Sequence, residues 1–251
     1  MARQKGIIKL KGTIGDITFY KTQDGHLARE KGGVDANRIK NDPAFQRTRE
    51  NGAEFGRAGK AGKLLRTAFR SLSLNSADSR VASRLTQLMM KVVKADAVSD
   101  RGLRNVLDGE TELLSGFEFN AYGKLGTTLF APYTPSIDRV AGTIDLEIPV
   151  FSPITMLAAP NGTTHFKIVS AGAEVDFEGE TYVIGTSATD ILPWTVTDTE
   201  VISQSNAVTP ASTKPLFLVV GVEFYQEVNG AMYPLKNGSY NPLAIVQVSG
   251  M

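Results

Sequence analysis

The sequence predicts an α+β protein: an N-terminal β-hairpin arm and a helical segment, followed by an antiparallel β-sandwich. Three observations carry this expectation. Short apolar runs flank Asp24-Gly25 near the start, and helical periodicity governs most of residues 44–108. Beyond about residue 111 that periodicity stops, and strand-like runs separated by Gly, Pro and Asn turns take over. The expected division is an arm and hairpin at 1–33, a basic helical region at 34–110 and an acidic β-sandwich domain at 111–251.

In the arm, Ile7, Ile8 and Leu10 precede Gly12, and Ile14, Ile17, Phe19 and Tyr20 follow. Asp24-Gly25 is a hairpin turn between residues 18–21 and 26–29. An isolated hairpin is marginal in water, so this one must lie on its own chain or extend another subunit's sheet. Lys31-Gly32-Gly33 opens a polar connection to Asn41. Asp42 as N-cap, with Pro43 at the first helical position, then starts a helix from Ala44 to about Leu72. Gly52, Gly56, Gly59 and Gly62 weaken it by about 1 kcal/mol each, and a kink or break is expected near Asn51-Gly52. On a helical wheel Phe55, Ala58, Ala61, Leu65, Ala68, Phe69 and Leu72 share one half. Lys60, Lys63, Arg66 and Arg70 take the other, with Arg57 at the border.

Ser76 is expected to cap a second helix with Val81, Leu85, Leu88, Met89, Val92 and Val93 as its stripe. Ser99 or Asp100 would start a short third helix ending near Asp108-Gly109. In the β region Ile144, Leu146, Ile148 and Val150 alternate with Asp145 and Glu147. Other strand candidates are residues 113–119, 165–169, 182–184, 216–226 and 243–248, with hairpin turns at Glu178-Gly179 and Asn229-Gly230.

Several function classes lack the residues they need. With no cysteine, disulfides, thiolate metal sites and cysteine nucleophiles are excluded. His26 and His165, the two histidines, read as hairpin and strand residues. The segment 56–63 holds glycines and lysines but misses phosphate-loop spacing, since Arg57 occupies the first glycine position and Leu64 follows Lys63. Glu174, Asp176, Glu178 and Glu180 fall at period two and read as one solvated hairpin face, without the spacing of a calcium loop. Ser187 and Ser203 have no nucleophile-elbow context. The expectation is a non-enzyme with no catalytic residue, cofactor or metal. No apolar run is long enough to span a bilayer, and the N-terminus lacks a secretory signal, so synthesis in the cytoplasm is expected, with export only as part of a virion-like or released assembly.

Charge points to association. A net charge of +1 conceals +10 over residues 1–110 and −9 over residues 111–251. Such halves complement each other between copies, or face each other within one chain. The basic helix face also suits a phosphate backbone, so nucleic acid is the alternative partner.

The stretch Lys11-Gly12-Thr13-Ile14-Gly15-Asp16-Ile17-Thr18-Phe19-Tyr20, with Gly25 and Ala28-Arg29, resembles the opening of uncharacterised bacterial and prophage-associated families. In these a G-x-I-G hairpin precedes an Asn/Asp-Pro segment, a basic helix and a β-sandwich. Asn41-Asp42-Pro43-Ala44-Phe45-Gln46-Arg47-Thr48-Arg49 stands at the second position here, and the likeness spans about the first 70 residues, with only the layout beyond. It implies no catalytic residue and a subunit of a phage-like or filamentous assembly.

The expected function is therefore structural: head-to-tail self-assembly into a phage-like, tubular or filamentous homo-oligomer. The expected interface is Ile14, Ile17, Phe19 and Leu27 of the arm with Arg57, Lys60, Lys63, Arg66 and Arg70 of the helix.

Overall fold

A computed structural model describes residues 2–30, 32–76 and 78–250, without the side chains of Lys236 and Asn237. Lys31, expected to open the linker, lies outside the described residues. The architecture is α+β, with a sandwich-like C-terminal region that curls into a half-barrel. The chain divides into two compact units, residues 1–49 and 50–251.

The first unit holds more sheet than one hairpin. Strands β1 (Ala2–Arg3), β2 (Gly12–Ile14), β3 (Ile17–Thr22) and β4 (Gly25–Glu30) form an antiparallel sheet in the order β1-β4-β3-β2. Pairing of Thr22 with Gly25 leaves Gln23-Asp24 as the two-residue loop, with Gly25 at φ +115°. The polar connection contains a helix, α1 (Ala36–Asn41), because the Asp35 carboxylate accepts from the Asn37 and Arg38 amides. Asp42 then caps a 3-10 turn, Pro43–Phe45, as the Asp-Pro signal leads one to expect.

Helix α2 (Gln46–Ala68) runs through Asn51-Gly52 without a break, and α3 (Arg70–Ser73) follows after Phe69. Helix α4 (Val81–Ala95) starts four residues later than a Ser76 cap would place it. Asp78 organises that start instead: its carboxylate accepts from the Arg80 and Ala121 amides and pairs with Arg84 at 2.5 Å. No third helix forms between Ser99 and Gly109; that segment is irregular.

The β elements are β5 (Thr134–Asp138), β6 (Thr143–Ile148), a short helix α5 (Pro153–Met156), β7 (His165–Asp176), β8 (Thr181–Ala188), β9 (Leu192–Pro193), β10 (Ile202–Ala207), β11 (Leu216–Val228), β12 (Ala231–Pro234) and β13 (Leu243–Ser249). A six-stranded antiparallel sheet follows the path β12-β11-β7-β8, with β13 on β11 and β9 on β7; β10-β6-β5 form a second sheet. Residues 113–119 are not a strand. A 3-10 turn, Thr111–Leu114, leads into a backbone that exchanges hydrogen bonds with Leu243 and Ile245 and so covers the outer edge of β13. Strand β6 ends at Ile148, which leaves Val150 exposed instead of continuing the apolar face.

Both faces of the large sheet are buried. Val169, Ala171, Ala173 and Val175 of β7, with Phe217 and Val219 of β11, pack against Ala58, Leu65, Phe69, Leu85 and Met89 of the helical layer. Phe166 and Ile168, with Leu218, Val220 and Val222, pack against Ile144, Leu146 and Ile148 of the small sheet. Double burial explains why the stretch from Leu216 to Val222 is continuously apolar and not alternating. It also makes helices and sandwich one unit, because the helices supply one of the two cores. The sheets approach so closely that a Cβ at Gly172 would lie 2.8 Å from Ile144 Cβ and 2.9 Å from Asn206 Cβ.

Candidate interaction surfaces

Helix α2 presents its residues in rows set by the 3.6-residue turn. Glu54, Ala58, Ala61, Leu65 and Ala68 form the buried row. Phe55, expected on that row, is 59% exposed, because its neighbour Glu54 takes the inward position. There the Glu54 carboxylate accepts the Gly102 amide at 2.8 Å. One turn on, Arg57 Nη1 donates to the carbonyls of Gly102 (2.7 Å) and Arg104 (3.0 Å). Arg101 pairs with Glu50 and donates to Asn51. Four side chains of α2 thus hold the irregular loop 101–104.

That loop is closed from its other end by Asp96. Its buried carboxylate accepts the amides of Val98 and Ser99 (both 2.9 Å) and Asn105 (3.0 Å). Burial alone would raise its pKa, but the Ser99, Asn105 and Val98 hydrogen bonds outweigh it and hold the pKa at about 2.

The five basic residues of the expected interface therefore separate. Arg57 is committed to its own chain's loop. Lys60 Nζ reaches Glu180 at 3.5 Å, an exposed ion pair that joins the basic helix to the acidic β hairpin within one chain. The side chains of Lys63, Arg66 and Arg70 have no hydrogen-bond or ion-pair partner among the described residues. Between α2 and the hairpin lies a cleft of about 290 Å³, floored by Ala61, Leu64, Val106 and Phe177 and edged by Arg57, Lys60, Glu178 and Glu180. The acidic residues are not one strand face. Glu174 and Asp176 lie on β7, but Phe177 to Glu180 is the turn itself. Asp176 accepts the Glu178 and Gly179 amides and pairs with Lys214 at 3.0 Å; the Gly179 bond is the main reason its pKa is lowered.

In the first unit the pairing register assigns the arm residues to faces. Ile14 pairs with Ile17 and Phe19 with Ala28, and these share one face with Gly12. Leu27 pairs with Tyr20 and lies on the opposite face, beside Thr18 and Arg29, whose guanidinium stacks over Tyr20 at 5.5 Å. The expected apolar quartet is thus three residues on one face and one on the other. No described residue of the arm, 2–30, is buried, and Ile14 and Ile17 are 63% and 46% exposed. Sequence reasoning passed over the Gln4 side chain, which folds the β1–β2 connection. Its amide donates to the Leu27 and Leu10 carbonyls and accepts the Leu10 amide at 2.8 Å.

Other polar groups serve the fold. His165 Nδ1 lies 2.9 Å from Thr164 Oγ1, and Ser187 Oγ donates to the Ser205 carbonyl. Tyr225 donates to Glu223 at 2.6 Å; burial and this carboxylate push its pKa up. No three or more His, Asp or Glu side chains among the described residues are grouped to hold a metal ion. No helix of the described residues is long and apolar enough to cross a membrane.

No protein-family profile matches the chain. No curated protein is similar to it either. A chain from a structure of pH-induced modulation of Streptococcus parasanguinis adhesion by Fap1 fimbriae aligns with 47% of this chain and 79% of its own length, at 13% identity. Its TM-score of 0.24 is too low to support any shared fold or role.

Proposed function

We propose that this chain is a non-catalytic structural subunit that assembles head to tail with copies of itself into a phage-like, tubular or filamentous multimer. The observation that carries the reading is the arm: a four-stranded sheet, residues 2–30, in which no described residue is buried. A single-layer sheet with an apolar face needs a covering partner to be stable. Charge supports a second copy as that partner. The first unit has eleven Lys/Arg against five Asp/Glu, and the second has sixteen against twenty-one. A contact between unlike surfaces propagates into a ring or an open filament. Sedimentation velocity and negative-stain imaging of the whole chain across protein and salt concentrations test this. Concentration-dependent multimers that weaken as salt rises are expected, and a monomer throughout rejects the reading.

Lys63, Arg66 and Arg70 favour a second reading, binding to a nucleic-acid backbone, because their charges are unpaired among the described residues from the end of α2 into α3. Titration with duplex DNA and with RNA distinguishes it. Tight binding whose logarithm falls steeply with log salt, in a protein that stays monomeric, would replace self-assembly.

A further inference from the structure

The arm ends in a shaped apolar tip. Gln4 closes the 5–10 connection through its bonds to Leu10 and Leu27, and Lys9 Nζ donates back to the Gln4 carbonyl. The closed loop turns Ile7 and Ile8 outward; Ile7 is wholly exposed and Ile8 is 81% exposed. Arg3, Lys5, Lys9 and Lys11 flank them in the chain, and no acidic residue occurs before Asp16.

The second unit carries a surface of the opposite kind. Residues 128–130 bond to 156–158, Ile154 donates to the Thr195 carbonyl, Ser152 to the Val196 carbonyl, and Thr199 to the Phe151 carbonyl. These bonds gather α5, the residues before it and the loop after β9 at one end of the sandwich. Phe130 (55%), Ile154 (44%) and Val196 (74%) are exposed there, with Asp198 and Glu200 beside them. Residues 140–166 and 168–213 contain nine Asp/Glu and no Lys or Arg. An exposed apolar patch with Asp198 and Glu200 at its edge is complementary to an apolar tip flanked by cations.

We infer that the Ile7-Ile8 tip of one copy docks on the Phe130, Ile154 and Val196 surface of the next, with Lys5 and Lys11 facing Asp198 and Glu200. The inference rests on the self-assembly reading and specifies the contact through which assembly propagates. Long-range attraction steers the tip to the patch, and the isoleucines displace water once seated.

The absence of native cysteine allows a direct test in the full chain. Differently tagged copies bearing Gly6→Cys or Thr197→Cys, which leave the apolar residues intact, are mixed and treated with a short bis-maleimide. Mixed cross-linked dimers are expected. Asp198→Lys with Glu200→Lys should raise the apparent Kd of self-association at least tenfold and abolish the mixed dimer. Lys5→Glu with Lys11→Glu in the other copy should restore both. Multimers that form without mixed dimers, or that ignore the charge reversal, overturn this docking and leave self-assembly standing. A wild-type chain that stays monomeric overturns both.

Discussion

The Asp96 carboxylate has three backbone donors and, among the described residues, no cation in hydrogen-bond contact, so its end of the loop rests on one ionised side chain. Replacing it by alanine leaves three amides to find other partners, at a cost of about 2–3 kcal/mol. For a chain of this size that lowers Tm by roughly 4–10 °C, measurable by calorimetry. The pH dependence has a definite sign. With a folded pKa of about 2, below the ordinary carboxylate value near 4, Asp96 stabilises the fold fully above the unfolded value. That contribution is lost as pH falls from about 4 toward 2. The Asp96→Asn variant should therefore be less stable than wild type at pH 7, with the difference narrowing below pH 4. A constant difference would mean that Asp96 acts through packing alone.

At the scale of elements, α2 has two jobs that the wheel projection merged. Its residues 50–57 hold a loop and Lys60 reaches Glu180, whereas Lys63 and Arg66, with Arg70 at the start of α3, remain unpaired among the described residues. Arg57→Ala removes two hydrogen bonds to buried-side carbonyls and should lower Tm while leaving the association constant within about twofold. Lys63→Glu with Arg66→Glu and Arg70→Glu should do the reverse, weakening association about tenfold or more with a Tm change of only a few degrees. Calorimetry and sedimentation on the two variants check the separation; equal effects on both quantities would refute it. The same helix shows what was legible. The Asp42-Pro43 start and the Ala58-Leu65-Phe69 row are encoded in local spacing, and β6 and the Asn229-Gly230 turn are too, the latter with both φ values positive. The inward Glu54 was not, since its partner is a backbone amide 48 residues away. The loop at 99–109 reads as a helix locally, but the local Asp96 bonds and the long-range Glu54 and Arg57 bonds hold it in an irregular path. The arm's second face was missed for a simpler reason: the strand register that separates Leu27 from Phe19 is set by the turn length.

For the whole molecule, the two units differ in what their stability needs. Residues 50–251 have two apolar cores of their own, one on each face of the large sheet. The arm has no buried side chain among its described residues and no long edge; β1 and β2, its outer strands, are two and three residues long. Removing residues 1–33 takes away no member of either core, and it leaves α1, the Asp42-Pro43 cap and α2 in the chain. The truncated protein should keep its far-UV circular dichroism and a cooperative thermal transition, and it should sediment as a monomer where the full chain forms multimers. Adding an excess of this truncated protein to the full chain should then cap growing assemblies, because each truncated copy offers a docking surface but no arm to extend it. Shortened multimers in negative stain are the expected result. If the truncated protein unfolds, the arm belongs to its own chain's stability; if it still assembles fully, the interface lies within residues 34–251. Either outcome removes the arm from the mechanism.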